Sequence, residues 1–79
     1  MVKISVYEQF IGMDLAVSKT AKIVMNDFYQ TDAGQWIASK PECVLRYDIH
    51  NDHENMGLRL EFFSYMNEDA ATEFIMRFK

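Results

Sequence analysis

Apolar and polar residues alternate from the start of the chain, with Val2, Ile4 and Val6 set against Lys3, Ser5 and Tyr7. A period of two is the mark of a strand with one buried face, so residues 2–10 are predicted to form one, and Gly12 marks the turn after it. Over residues 14–30 the period lengthens. Val17, Ala21, Val24 and Phe28 recur at spacings of four, three and four, which is one face of a helix. Asp14 or Ser18 is placed to cap its start. The β-branched Val17, Thr20, Ile23 and Val24 leave a strand open for part of this stretch. Asp32 followed by Gln35 approximates a capping box, and Pro41 pushes Lys40 out of helical geometry. A short second helix over 32–39 follows, or a kinked continuation of the first, with Trp36 and Ile37 as its apolar anchors.

Residues 43–65 carry the clearest pattern. Cys43, Leu45, Tyr47 and Ile49 alternate with Val44, Arg46, Asp48 and His50. Beyond a polar loop, Leu58, Leu60 and Phe62 alternate with Arg59, Glu61 and Phe63. An antiparallel hairpin with Asp48 opposite Arg59 sets Arg46 against Glu61, and Leu45, Tyr47 and Ile49 against Phe62, Leu60 and Leu58. Each such cross-strand pair contributes ~0.2–1 kcal/mol, and a one-residue slip would bury the charges. Asn67-Glu68-Asp69 then starts a helix, a capping side chain followed by two acids in the first turn. Ala70, Ala71, Phe74, Ile75 and Phe78 form its apolar stripe, with a short edge strand over 76–79 as the alternative ending.

The predicted order is β-α-α-β-β-α in a single α+β domain spanning 1–79. Its simplest architecture is a three-stranded antiparallel sheet with two or three helices on one face. Such an order resembles a shortened ferredoxin-like arrangement, a likeness of fold that carries no function with it.

Composition narrows the classes. Forty-nine per cent of residues are hydrophobic and 14% aromatic, enough large side chains to build a core and to exclude disorder as the main state. The single cysteine, Cys43, excludes an internal disulfide framework. The first residues lack the apolar run and cleavage site of a signal peptide, and no stretch approaches a membrane span. A cytoplasmic protein is expected. Twelve acids against 8 bases give a net charge of −4. That balance argues against a nucleic-acid backbone as the main partner, because Lys and Arg supply most of that affinity.

Few residues suggest chemistry. His50 and His53, with Asp52 and Glu54 around them, are the one cluster of potential metal ligands. They fall on a hairpin loop, whereas metal sites need ligands held by surrounding bonds, so a solvated turn is the simpler reading. Cys43 lies on the apolar face of its strand and reads as core packing, since reactive thiols favour electropositive surroundings. The three glycines, at 12, 34 and 57, are too dispersed for a phosphate loop. No carboxylate pair stands apart as acid and base. The sequence therefore predicts no catalytic residue and no cofactor.

What remains is a surface. On the hairpin register above, the outer sheet face carries Tyr7, Val44, Arg46, Asp48, Arg59, Glu61, Phe63 and Tyr65. Aromatics interleaved with arginines are the composition of protein–protein interfaces. Tyr7, Arg46, Arg59, Phe63 and Tyr65 are therefore the candidate contacts for a cytosolic protein partner. An edge or face of this kind also suits a homo-oligomer with two-fold symmetry. The alternative is an RNA-associated regulator, in which Phe63 and Tyr65 stack on bases beside Arg46 or Arg59. Against it, Gly57–Tyr65 matches the aromatic strand of RNA-recognition sheets poorly: no Lys or Arg precedes Gly57, and Glu61 occupies an apolar or small position.

The run Phe62-Phe63-Ser64-Tyr65-Met66-Asn67-Glu68-Asp69-Ala70-Ala71-Thr72-Glu73-Phe74 joins an aromatic strand to an acidic helix start. In this it resembles the small orphan α+β proteins of tailed bacteriophages. The resemblance covers about a fifth of the chain and implies a phage-type inhibitor or modulator acting in a host cytoplasm. It assigns no functional residue.

Overall fold

A computed structural model describes residues 1–13 and 16–79. The opening alternation forms strand β1 (Val2–Gly12), and the four-three-four stripe forms helix α1 (Val17–Tyr29). A short helix α2 (Asp32–Ala38) follows, then the hairpin strands β2 (Val44–Asp52) and β3 (Gly57–Met66), and finally helix α3 (Glu68–Phe78). The sheet order is β1-β3-β2, with β3 antiparallel to both neighbours. β1 and β2 therefore run parallel with β3 between them, the split β-α-β that a shortened ferredoxin-like arrangement requires.

The helix starts follow from local chemistry. Thr31, rather than Asp32, caps α2, its hydroxyl accepting from the Gly34 N–H and donating to the Phe28 carbonyl. Gln35 does not close a capping box. Its side-chain amide reaches back to the Tyr29 carbonyl and ties α2 to the end of α1. Asn67 caps α3 as its sequence predicts, accepting from the Ala70 N–H at 2.8 Å. α3 continues to Phe78, so the edge-strand ending is not adopted. α1 begins at Val17 after Ala16, with no side-chain cap from Ser18, and Asp14 lies outside the described residues.

The apolar stripes meet on one side of the sheet. Ala21, Val24, Leu60 and Phe62 form one buried cluster. Ile4, Phe28, Trp36, Ile37, Cys43, Met66, Ala71 and Phe74 form the other, and Val6 and Leu45 touch both. Burial pushes the Cys43 thiol up, helped by the charge of Glu42, which suits a core residue and not a thiolate. Trp36 packs against Phe74 with ring centroids 5.6 Å apart, and its indole N–H donates to Glu73 at 2.6 Å.

Two features of the sheet differ from the sequence expectation. The hairpin register is offset by two residues. Asp48 lies opposite Glu61, His50 opposite Arg59 and Arg46 opposite Phe63. The turn sets this offset. Asp52 accepts from both the backbone and the side-chain amide of Asn55, and from Arg59 at 2.6 Å. That closes a four-residue loop over 53–56, with Met56 in the left-handed region at φ 55°. A two-residue offset keeps every side chain on its face, so the inward set is unchanged.

The second difference is in β1, whose pairing with β3 shifts between Ser5 and Tyr7 and again between Phe10 and Gly12. A bulge puts two successive residues on one side. Val6 and Tyr7 both turn toward the helices, and Tyr7 stacks on Phe28 and Phe62. Its expected place on the outer face is therefore wrong. The second shift uses Gly12, whose φ of +68° suits a residue without Cβ. No helix among the described residues is long and apolar enough to cross a membrane.

Candidate functional site

With the core on one side, the other side of the sheet lies open. Cross-strand pairing lays its residues out in rows. Lys3, Tyr65 and Val44 form the first, Ser5, Phe63 and Arg46 the second, Glu8, Glu61 and Asp48 the third, and Phe10, Arg59 and His50 the fourth.

The first two rows gather three of the five residues singled out from the sequence. Tyr65 is 42% exposed. Phe63 meets it edge-on at a centroid distance of 5.7 Å, and the Lys3 amine sits 4.2 Å above the Phe63 ring. Phe63 is only 6% exposed and belongs to neither core cluster, because its neighbours on the open face cover it. Long side chains lying flat on a sheet do this to a ring flanked by them on both strands. Among the described residues Arg46 is the one cation of this face without an ion pair. Lys3 contacts Asp48 at 3.7 Å, and Arg59 holds Asp52 at 2.6 Å and Glu8 at 3.7 Å.

Arg59 therefore does not join Phe63 and Tyr65. It stands at the far end of the sheet as part of the turn, with its guanidinium pKa raised by the Asp52 hydrogen bond and charge. The Asp52 carboxyl is held below its ordinary value by the Asn55 side-chain bond and then by Arg59. Next to it the Phe10 ring lies over Gly57, where any Cβ would come within 2.7 Å of that ring.

The third row sets three carboxylates side by side, an arrangement that needs nearby donors. His50 supplies one, its Nε2 lying 3.0 Å from Glu61 Oε1. That bond, with smaller help from the Ser5 hydroxyl and the Lys3 charge, lowers the Glu61 pKa. Asp48, His50 and Glu61 bring their ligand atoms within 4.8 Å of one another, the spacing a cation would need. His53, paired with His50 as a metal candidate on sequence grounds, is not in this group and lies in the exposed turn. The structure exchanges it for Asp48 and Glu61, which sequence reasoning missed because they are two and eleven positions from His50. Lys3 and His50 already contact the two acids, so this cluster is satisfied by protein groups alone.

The face thus has a basic and aromatic end, a polar centre and a far end locked by the turn. No protein-family model, curated protein or solved structure matches this chain.

Proposed function

We propose that this chain is a non-enzymatic binding module that recognises a protein partner through the basic and aromatic end of its open sheet face. One observation carries the reading: Tyr65 stands exposed beside Phe63, Lys3 and Arg46 on the side of the sheet that the helices leave bare. Tyr and Arg dominate the energetics of protein interfaces because each combines a large contact area with directional donors. Lys3 and Arg46 favour a partner segment that presents a carboxylate next to an apolar side chain. Modulation or inhibition of a cytosolic host protein is the biological role we attach to this surface, in line with the phage-type resemblance.

The acidic row of Glu8, Glu61 and Asp48 weighs against the RNA alternative, since it lies directly beside the aromatic pair and repels phosphate. The test is affinity capture from host lysate with the wild-type chain and with Tyr65→Ala and Lys3→Glu, with and without nuclease. A helix-side variant at exposed Ile23, Ile23→Ser, serves as the control. One stoichiometric protein, retained by Ile23→Ser and weakened about tenfold or more by Tyr65→Ala, is expected. Capture that ignores both face variants sinks the proposal, and capture lost on nuclease treatment transfers it to RNA.

A further inference from the structure

The two edges of the sheet are not alike. β1 is bulged twice, and bulges twist an edge away from further pairing. β2 pairs with β3 without a single register shift, contains no proline, and among the described residues has no strand on its other side. Regular, unprotected edges of this kind are templates for another strand.

We propose that the β2 edge takes a second copy of this chain, pairing antiparallel about a two-fold axis between the two Tyr47 residues, so that one sheet runs through both copies. The side chains of β2 are self-complementary in that register. Arg46 of each copy lies directly opposite Asp48 of the other, giving two opposite-charge pairs on the open face. On the helix side Leu45 lies opposite Ile49, twice, and the Tyr47 rings meet at the axis. Val44 faces His50.

Three observations favour this occupant. Among the described residues Arg46 makes no ion pair within its own chain, and the only cation on Asp48 is Lys3 at 3.7 Å with both side chains about half exposed. Val44 is 53% and Ile49 45% exposed, an unusual cost on an edge strand that nothing covers. Sliding the register by two residues either way sets Arg46 against Arg46 or Asp48 against Asp48, and like charges directly opposite are destabilising. An isologous interface needs a patch that complements itself, and β2 meets that requirement in the register centred on Tyr47 and fails it in the neighbouring ones.

The pairing shares Arg46 with the proposed partner-binding end but not Tyr65 or Lys3, which lie on β3 and β1, so Tyr65→Ala leaves the β2 edge intact and separates the two readings. The test is the mass in solution by sedimentation velocity over a concentration series, with folding of every variant checked by circular dichroism. The wild-type chain is expected at twice the mass of one copy. Arg46→Asp and Asp48→Arg alone each replace two attractive pairs by two repulsive ones and should weaken dimerisation about tenfold or more. The double variant Arg46→Asp/Asp48→Arg recreates the pairs in reversed order and should recover the dimer. Ile49→Lys, at an exposed position, should give a folded monomer even if a charge variant folds poorly. A monomeric wild-type chain at ~100 μM, far above the micromolar Kd of even a weak specific complex, overturns the proposal. So does a dimer indifferent to Ile49→Lys, or a double variant no better than the single ones.

Discussion

Gly34 lies where α2 comes closest to the end of α1, and replacing it with Ala sets two effects of opposite sign against each other. Gly34 is an interior residue of a helix with no left-handed φ, so Ala should gain about 1 kcal/mol in helix propensity. A methyl group there would overlap the Phe28 carbonyl oxygen and come within 2.7 Å of the Tyr29 Cα. Both neighbours are backbone in the last turn of α1, so no rotamer change relieves the contact. Relief requires α2 to move out by roughly an ångström. That motion pulls Trp36 and Ile37 from the core and stretches the Thr31 bonds to Gly34 and Phe28. Overpacking of this kind costs ~1–3 kcal/mol, and a lost cap adds about 1 kcal/mol. The clash and cap loss outweigh the propensity gain, for a net loss of about 2 kcal/mol and a fall in Tm on the order of 10 °C. Urea unfolding followed by the fluorescence of Trp36, the chain's single tryptophan and itself in α2, reads this directly. Gly34→Ala at or above wild-type stability would refute the reasoning, since propensity would then have won and the corner would have room.

Three further expectations follow from particular contacts. Ser64 is fully buried on the core side of β3 and its hydroxyl has no hydrogen-bond partner among the described residues, so Ser64→Ala should raise stability by about 1 kcal/mol in the same urea assay; a loss would show that the hydroxyl is satisfied. Glu61 and Asp52 both have lowered folded pKa values, from His50 and Asn55 first in each case, so their contribution is present above the ordinary carboxylate range and is lost as pH falls through that range to the folded values. The urea midpoint should therefore drop on the acid side, and Glu61→Gln should flatten that drop; an unchanged slope would show that the His50 contact does not persist. Gly12→Ala meets open space but strains a φ of +68°, so it should cost about 1 kcal/mol, and Gly12→Asn should cost less because Asn tolerates this region.

The alternation of β2 and β3 was enough to assign the face of every residue in the hairpin, and the open face carries the residues that pattern predicts. It was not enough to assign neighbours. The pattern sets Asp48 and Glu61 each against an arginine, whereas in the fold they lie opposite one another and are relieved by Lys3 and His50. The four-residue turn held by Asp52, Asn55 and Arg59 makes that choice, and its bonds join side chains up to seven positions apart. Of the five residues singled out for partner binding, Phe63, Tyr65 and Arg46 come together. Arg59 is taken up by the turn, and Tyr7 crosses to the helix side.

Local periodicity by itself located the elements and the inward faces of the helices and of the hairpin, because burying apolar surface on one side of each element requires only the residues of that element. It did not decide whether residues 14–39 form one helix or two. Tertiary structure alone decided register, bulges and partners. A shift of two residues leaves a period-two pattern unchanged, so the pattern cannot see it. The bulge that turns Tyr7 inward exists only because β1 must match β3 while the helices lie beneath. The cover over Phe63 comes from Lys3, sixty positions earlier in the chain, which reaches it only once the outer strand has docked.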